Sequence, residues 1–126
     1  MPLIKTDTVT IYNALGEDAT GHMQWRRTVV PNVRYEVRSG AVAGVNGSST
    51  TDGLMLFVPA PARAYVDPDE YAGSGWTLRD GDMVATGAHD EADPHLIASR
   101  AVFRITGVEP LTDRRGRLHH FEVSGA

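Results

Sequence analysis

Apolar and polar positions alternate with a period of two along much of this chain, and no stretch keeps a helical period long enough for a crossover helix. In residues 7–13, Val9 and Ile11 fall on one face and Thr8, Thr10 and Tyr12 on the other, the pattern of a half-buried strand. Polar residues 16–21 then read as a turn. Residues 23–30 predict a second strand with Met23, Trp25 and Val29 on one side, interrupted by Pro31-Asn32. The cleanest alternation follows: Val33, Tyr35 and Val37 face inward while Arg34, Glu36 and Arg38 face water or a partner.

Residues 54–58 are apolar at every position, which predicts a strand covered on both faces or by an oligomeric neighbour, ended by Pro59 and Pro61. Asp67-Pro68-Asp69-Glu70 has the chemistry of a helix start: a capping carboxylate, Pro at the first helical position and Glu three residues after the cap. Asp80-Gly81 suits a tight hairpin turn between residues 76–79 and 82–86, and Asp93-Pro94 opens another short helix. The chain closes with a hairpin, residues 102–108 and 118–125 around Asp113-Arg114-Arg115-Gly116.

From residue 39 to about 53 the composition shifts to Gly, Ala, Ser, Thr and Asn, and the expectation is a long mobile loop. The fold class is therefore all-β: a small antiparallel barrel or sandwich of about eight short strands, with one or two single-turn helices. At 126 residues and 41% apolar, the chain has the size of one domain spanning residues 1–126.

Charge and chemistry narrow the function. A formal charge of -4 argues against coating nucleic acid, and the absence of cysteine removes disulfides and thiolate metal sites. Residues 1–6 lack the pattern of a signal peptide, and no apolar run approaches membrane-spanning length, so a soluble protein without membrane contact is expected. His89, Asp90, Glu91, Asp93 and His95 are close in sequence but fit neither a tetrahedral zinc spacing nor an EF-hand, so they read as a solvated acidic loop. His119 and His120, adjacent on a strand, should face opposite sides of the sheet. No nucleophile elbow or P-loop is present, so neither an enzyme nor a cofactor is expected. Arg114, Arg115 and Arg117 form a basic tip, a candidate interface for an acidic protein surface or DNA phosphate.

Several blocks in fixed order carry a resemblance: Asp7-Thr8-Val9-Thr10-Ile11-Tyr12-Asn13, then Trp25-Arg26-Arg27-Thr28-Val29 and Val33-Arg34-Tyr35, then Trp76-Thr77-Leu78-Arg79-Asp80-Gly81-Asp82-Met83-Val84. Phe103-Arg104-Ile105-Thr106-Gly107-Val108 and His120-Phe121-Glu122-Val123-Ser124-Gly125 complete it. Over nearly its whole length the chain resembles the head-to-tail stoppers, or head-closure connectors, of long-tailed double-stranded DNA phages. The resemblance implies a β-barrel made in the host cytoplasm and built into the virion neck as a ring, commonly dodecameric. It further implies a portal or adaptor above, a tail terminator or tail tube below, and packaged DNA held in the channel without sequence-specific binding. The small-residue segment occupies the place of a channel-directed loop, which makes Val42, Gly44, Val45, Asn46, Gly47, Ser48, Ser49 and Thr50 the candidate channel residues. Opposite-signed stretches would register ring neighbours: Asp67, Asp69, Glu70, Asp80, Asp82, Asp90, Glu91 and Asp93 against Arg100, Arg104, Arg114, Arg115 and Arg117. The alternatives are a tail terminator or minor tail-tube protein and, from another class, a small β-barrel binding module.

Overall fold

The computed structural model describes residues 7–44 and 47–126, with residues 39–52 described by their backbone alone. Its strands are β1 (Asp7–Glu17), β2 (Met23–Gly44), β3 (Gly47–Pro59), β4 (Met83–Thr86), β5 (Val102–Thr112) and β6 (Leu118–Gly125). All pairings are antiparallel, and the order β1-β2-β3-β6-β5-β4 closes into a barrel. The all-β expectation holds, with six strands among the described residues rather than eight.

Two strands turn the corners of this barrel. β2 pairs with β1 up to Val33 and with β3 from Arg34, while β5 pairs with β4 through Arg104 and with β6 from Ile105. Each corner carries a bulge, which bends a strand and increases its twist. On β2 the extra residue is Asn32, at φ 61, set between the pairs Thr8↔Pro31 and Asp7↔Val33. Pro31-Asn32 therefore bends one continuous strand instead of interrupting it. On β5 the extra residue is Thr106, and Gly107 beside it leaves room for the Ser124 hydroxyl, which would lie 2.9 Å from a β-carbon there.

Val9, Ile11, Val33, Leu56, Val58, Leu78, Val84, Ile105 and Val123 fill the barrel together with Trp76, each almost wholly excluded from water. Burial of one such aliphatic side chain contributes about 1.5–3 kcal/mol. A second layer covers the outside of β1: Tyr12, Ala85 and Ile97 pack with Trp25 and Val102 beneath the 3-10 turns Pro94–Leu96 and Ser99–Ala101. β1 is thus buried on both faces from Val9 to Asn13, where the alternation predicted one.

The other departures are local. Asp67–Glu70 makes a single turn closed by the Glu70 amide on the Asp67 carbonyl at 2.9 Å, and no helix follows. Trp76, Thr77 and Leu78 are buried, yet they lie outside the strands apart from one bridge, Tyr65↔Trp76. The Asp80-Gly81 turn forms, with Gly81 at φ 94, but the expected hairpin does not: residues 76–79 are not a strand, and β4 pairs with β1 and β5 instead. The short helix at Asp93-Pro94 forms as a 3-10 turn capped by the Asp93 carboxylate.

Candidate interaction surfaces

The longest departure from the sequence reading is also the most prominent surface. Residues 39–44 and 47–52 pair as antiparallel strands and do not form the expected loop. β1 leaves β2 at Val33, and β6 reaches β3 no further than Leu54, so the rungs from Arg38↔Gly53 to Gly44↔Gly47 have only each other. At about 3.3 Å per residue this two-stranded ribbon projects about 20 Å beyond the barrel. The Asp7 carboxylate accepts the Tyr35 amide at 3.1 Å, marking the point where β1 gives up the edge of β2. Within the ribbon Val42 pairs with Ser49, Ala43 with Ser48, Ala41 with Thr50 and Gly44 with Gly47, while Val45 and Asn46 lie outside the described residues. One hairpin therefore holds the candidate channel positions that are described, and residues 39–51 carry no charged side chain.

The opposite end of the barrel differs in chemistry. Strand polarity places the β1–β2 and β5–β6 turns together there, away from the ribbon. In the β5–β6 turn the Asp113 carboxylate accepts the amides of Arg115 at 2.8 Å and Arg117 at 3.0 Å, and Gly116 adopts φ 78. This ties down the backbone while Arg114, Arg115 and Arg117 stay exposed. Arginine ion pairs among the described residues involve Arg34, Arg38 and Arg79 instead. In the β1–β2 turn Asp18 plays the same organising part, and the Thr20 hydroxyl and the His22 amide hold its carboxyl below the usual range.

Asp82 does not belong to an exposed acidic stretch. It is 3% exposed and accepts the Asn13 side-chain amide at 2.7 Å, the Ala14 amide at 3.1 Å and the Arg79 guanidinium at 2.8 Å. Asn13 also exchanges hydrogen bonds with the Thr77 backbone, and Arg79 stacks over Tyr71. This cluster locks β1 to the chain before β4. Sequence reasoning missed it, although Arg79 and Asp82 flank the Asp80-Gly81 turn at a spacing that lets the two charges meet.

The histidines are also placed differently. His119 is the extra residue of a bulge between Leu111↔His120 and Thr112↔Leu118, and its Nδ1 comes within 2.8 Å of His120 Nδ1. The bulge breaks the alternation that would have put the rings on opposite faces. His120 Nε2 also approaches Glu122 at 3.4 Å. In the acidic loop His89 Nε2 meets the Thr86 carbonyl at 2.7 Å, while the His95 amide and ring both bond to Asp93. Those contacts, the amide first, hold the Asp93 carboxyl below its usual range. Among the described residues no group of three or more His, Cys, Asp or Glu could hold a metal ion. Among the same residues no helix is long and apolar enough to cross a membrane.

Fold and surfaces together define a small closed antiparallel β-barrel with a neutral hairpin at one end and charged turns at the other. The chain belongs to DUF6751, a family of unknown function, whose model matches residues 4–126. No curated protein matches it. A chain in a structure described as "Virion of native gene transfer agent (GTA) particle" has the same fold, with a TM-score of 0.54 and 15% identity over 99% of this chain and 94% of that one.

Proposed function

We propose that this protein is a structural component of a phage-type virion and, within it, a ring-forming head-to-tail stopper. The observation that carries the reading is the match in fold along almost the whole of both chains to a protein of a gene transfer agent virion. Two features of the barrel suit the finer role. The ribbon is uncharged from residue 39 to 51, so a ring of such ribbons neither binds nor repels DNA phosphate as it slides past. The charged turns at the far end offer a separate docking face for a portal-side or tail-side neighbour.

In this reading the copies form a ring in the neck, with the ribbons converging on the axis to retain packaged DNA. Cryo-EM of DNA-filled particles tests it: a ring beneath the portal with the β2–β3 ribbon directed inward is the expected result. Density at the end of the tail tube would make the protein a terminator, and absence from particles would leave a binding module. Replacing residues 41–50 by an Asn-Gly turn on the Gly40↔Thr51 rung should preserve assembly and release the DNA. Full DNA retention in that variant would remove the gating role.

A further inference from the structure

The barrel wall opens where β2 passes from β1 to β3. Residues 28–33 of β2 pair with β1 on one edge, and β3 joins the other edge only from Arg34. Proline accounts for the gap: Pro31, Pro59 and Pro61 have no amide hydrogen, so no continuous ladder can join the two sides. A groove of about 660 Å³ results, within the range of ligand-binding sites. Val29, Val58 and Trp76 are among the residues that line it, and Val29 is 38% exposed.

The far wall of the groove is held in shape. The Trp76 indole donates to the Arg63 carbonyl at 2.8 Å, and the Trp76 amide donates to the Ala64 carbonyl at 3.1 Å. Gly75 permits this approach, since a β-carbon there would lie 2.5 Å from the Ala64 oxygen. Asn32 at φ 61 and Ala64 at φ 62, the non-glycine residues with positive φ among those described, both line the groove. That conformation is unfavourable for alanine, and such strain persists where surrounding contacts fix it. Arg63 is the one charged side chain lining the groove; it is exposed and takes part in none of the arginine ion pairs among the described residues.

We propose that this groove docks an extended, mainly apolar segment of another polypeptide carrying one acidic side chain, whose carboxylate pairs with Arg63. An extended segment fits because the groove runs along the edge of β2 that β1 leaves free, between apolar walls, the setting of strand-type peptide recognition, with Pro31 limiting any backbone ladder to part of that edge. A fixed wall lowers the ordering cost of binding. The ribbon of a second copy fits poorly, because its one carboxylate, Asp52, follows Gly47-Ser48-Ser49-Thr50-Thr51, a polar rather than a mainly apolar segment. The proposal is independent of the virion reading.

The test is an NMR titration of the 15N-labelled full chain with a blocked hexapeptide of alternating valine and threonine bearing a central glutamate, alongside its glutamine and lysine versions. Saturable shifts are expected at Val29, Asn32, Arg63 and the Trp76 indole, with the glutamate peptide bound about fivefold more tightly than the glutamine one. Arg63→Gln should abolish that preference and Arg63→Glu should transfer it to the lysine peptide; Arg63 is exposed, so both variants should fold. Three results would overturn the proposal: no saturable shift at those residues, equal binding of all three peptides, or shifts that follow protein concentration alone and so make the occupant a second copy.

Discussion

One strand, β2, runs through two regions built on different principles. Its first half lies against β1 in a barrel that is packed inside by aliphatic side chains and sealed outside by Tyr12, Trp25 and Ile97. Its second half continues into a ribbon whose outer rungs have no third strand. An isolated two-stranded ribbon is marginally stable in water, whereas a strand buried on both faces gains from every side chain. The contrast separates the part of the chain that sustains folding from the part left free for other work.

Substitutions in the two regions should therefore differ sharply. Asp82→Ala removes the acceptor shared by Asn13, Ala14 and Arg79 and leaves a half-buried guanidinium without its partner. Urea unfolding should show a loss of about 3–5 kcal/mol; a loss below about 1 kcal/mol would mean that the cluster does not anchor β1. Gly75→Ala sets a β-carbon against the Ala64 carbonyl at a residue with φ +75. The expected loss is about 2–3 kcal/mol, together with altered shifts in the groove wall.

Alkaline pH probes the outer layer of the barrel. Burial, followed by the charge of Glu91, pushes the Tyr12 phenol above its ordinary value of 10.0. A raised folded-state pKa means that the contribution of the neutral phenol is complete below pH 10 and is lost as pH rises through the folded value. Stability should thus fall above pH 10, and Tyr12→Phe should flatten part of that fall, Tyr65 and Tyr71 being raised by burial as well. At neutral pH the same variant gives up the hydrogen bond from the phenol to the Glu91 carbonyl, a cost of about 1 kcal/mol. The smallest effect is expected from the ribbon: exchanging residues 41–50 for an Asn-Gly turn should change barrel stability by less than about 0.5 kcal/mol. A larger change would show that ribbon and barrel fold as one unit.

The barrel strands could be read from the sequence because burial imposes alternation: Val9, Ile11, Val33 and Tyr35 reach the core side as predicted, whereas Val37, beyond the barrel edge, is 47% exposed, and Leu54, Leu56 and Val58 are buried between half-buried Met55 and Phe57 instead of lying in a strand covered on both faces. The ribbon could not be read in that way. Residues 39–52 pair only with one another and carry no alternation of apolar residues, so Gly, Ser and Thr passed for a loop. Trp76 and Leu78 show the reverse error, since apolar residues at alternate positions proved buried without belonging to a strand. Among the candidate surfaces, the arginine tip was legible because a Gly-containing turn advertises its own exposure. The Asn13–Asp82 cluster was hidden because its members are far apart in sequence and meet only in the folded barrel.

The continuity of β2 and β3 from barrel to ribbon also sets how a mechanical load travels. Ladder hydrogen bonds lie across the strands, so a pull along the ribbon axis shears the β2–β1 and β3–β6 ladders and is shared by many rungs at once. A sideways push on the tip instead bends the ribbon about its base near Arg38↔Gly53, where no third strand stiffens the two-stranded ladder. The projection is stiff along its length and compliant across it, so it can resist thrust along its axis and still swing aside under a lateral force.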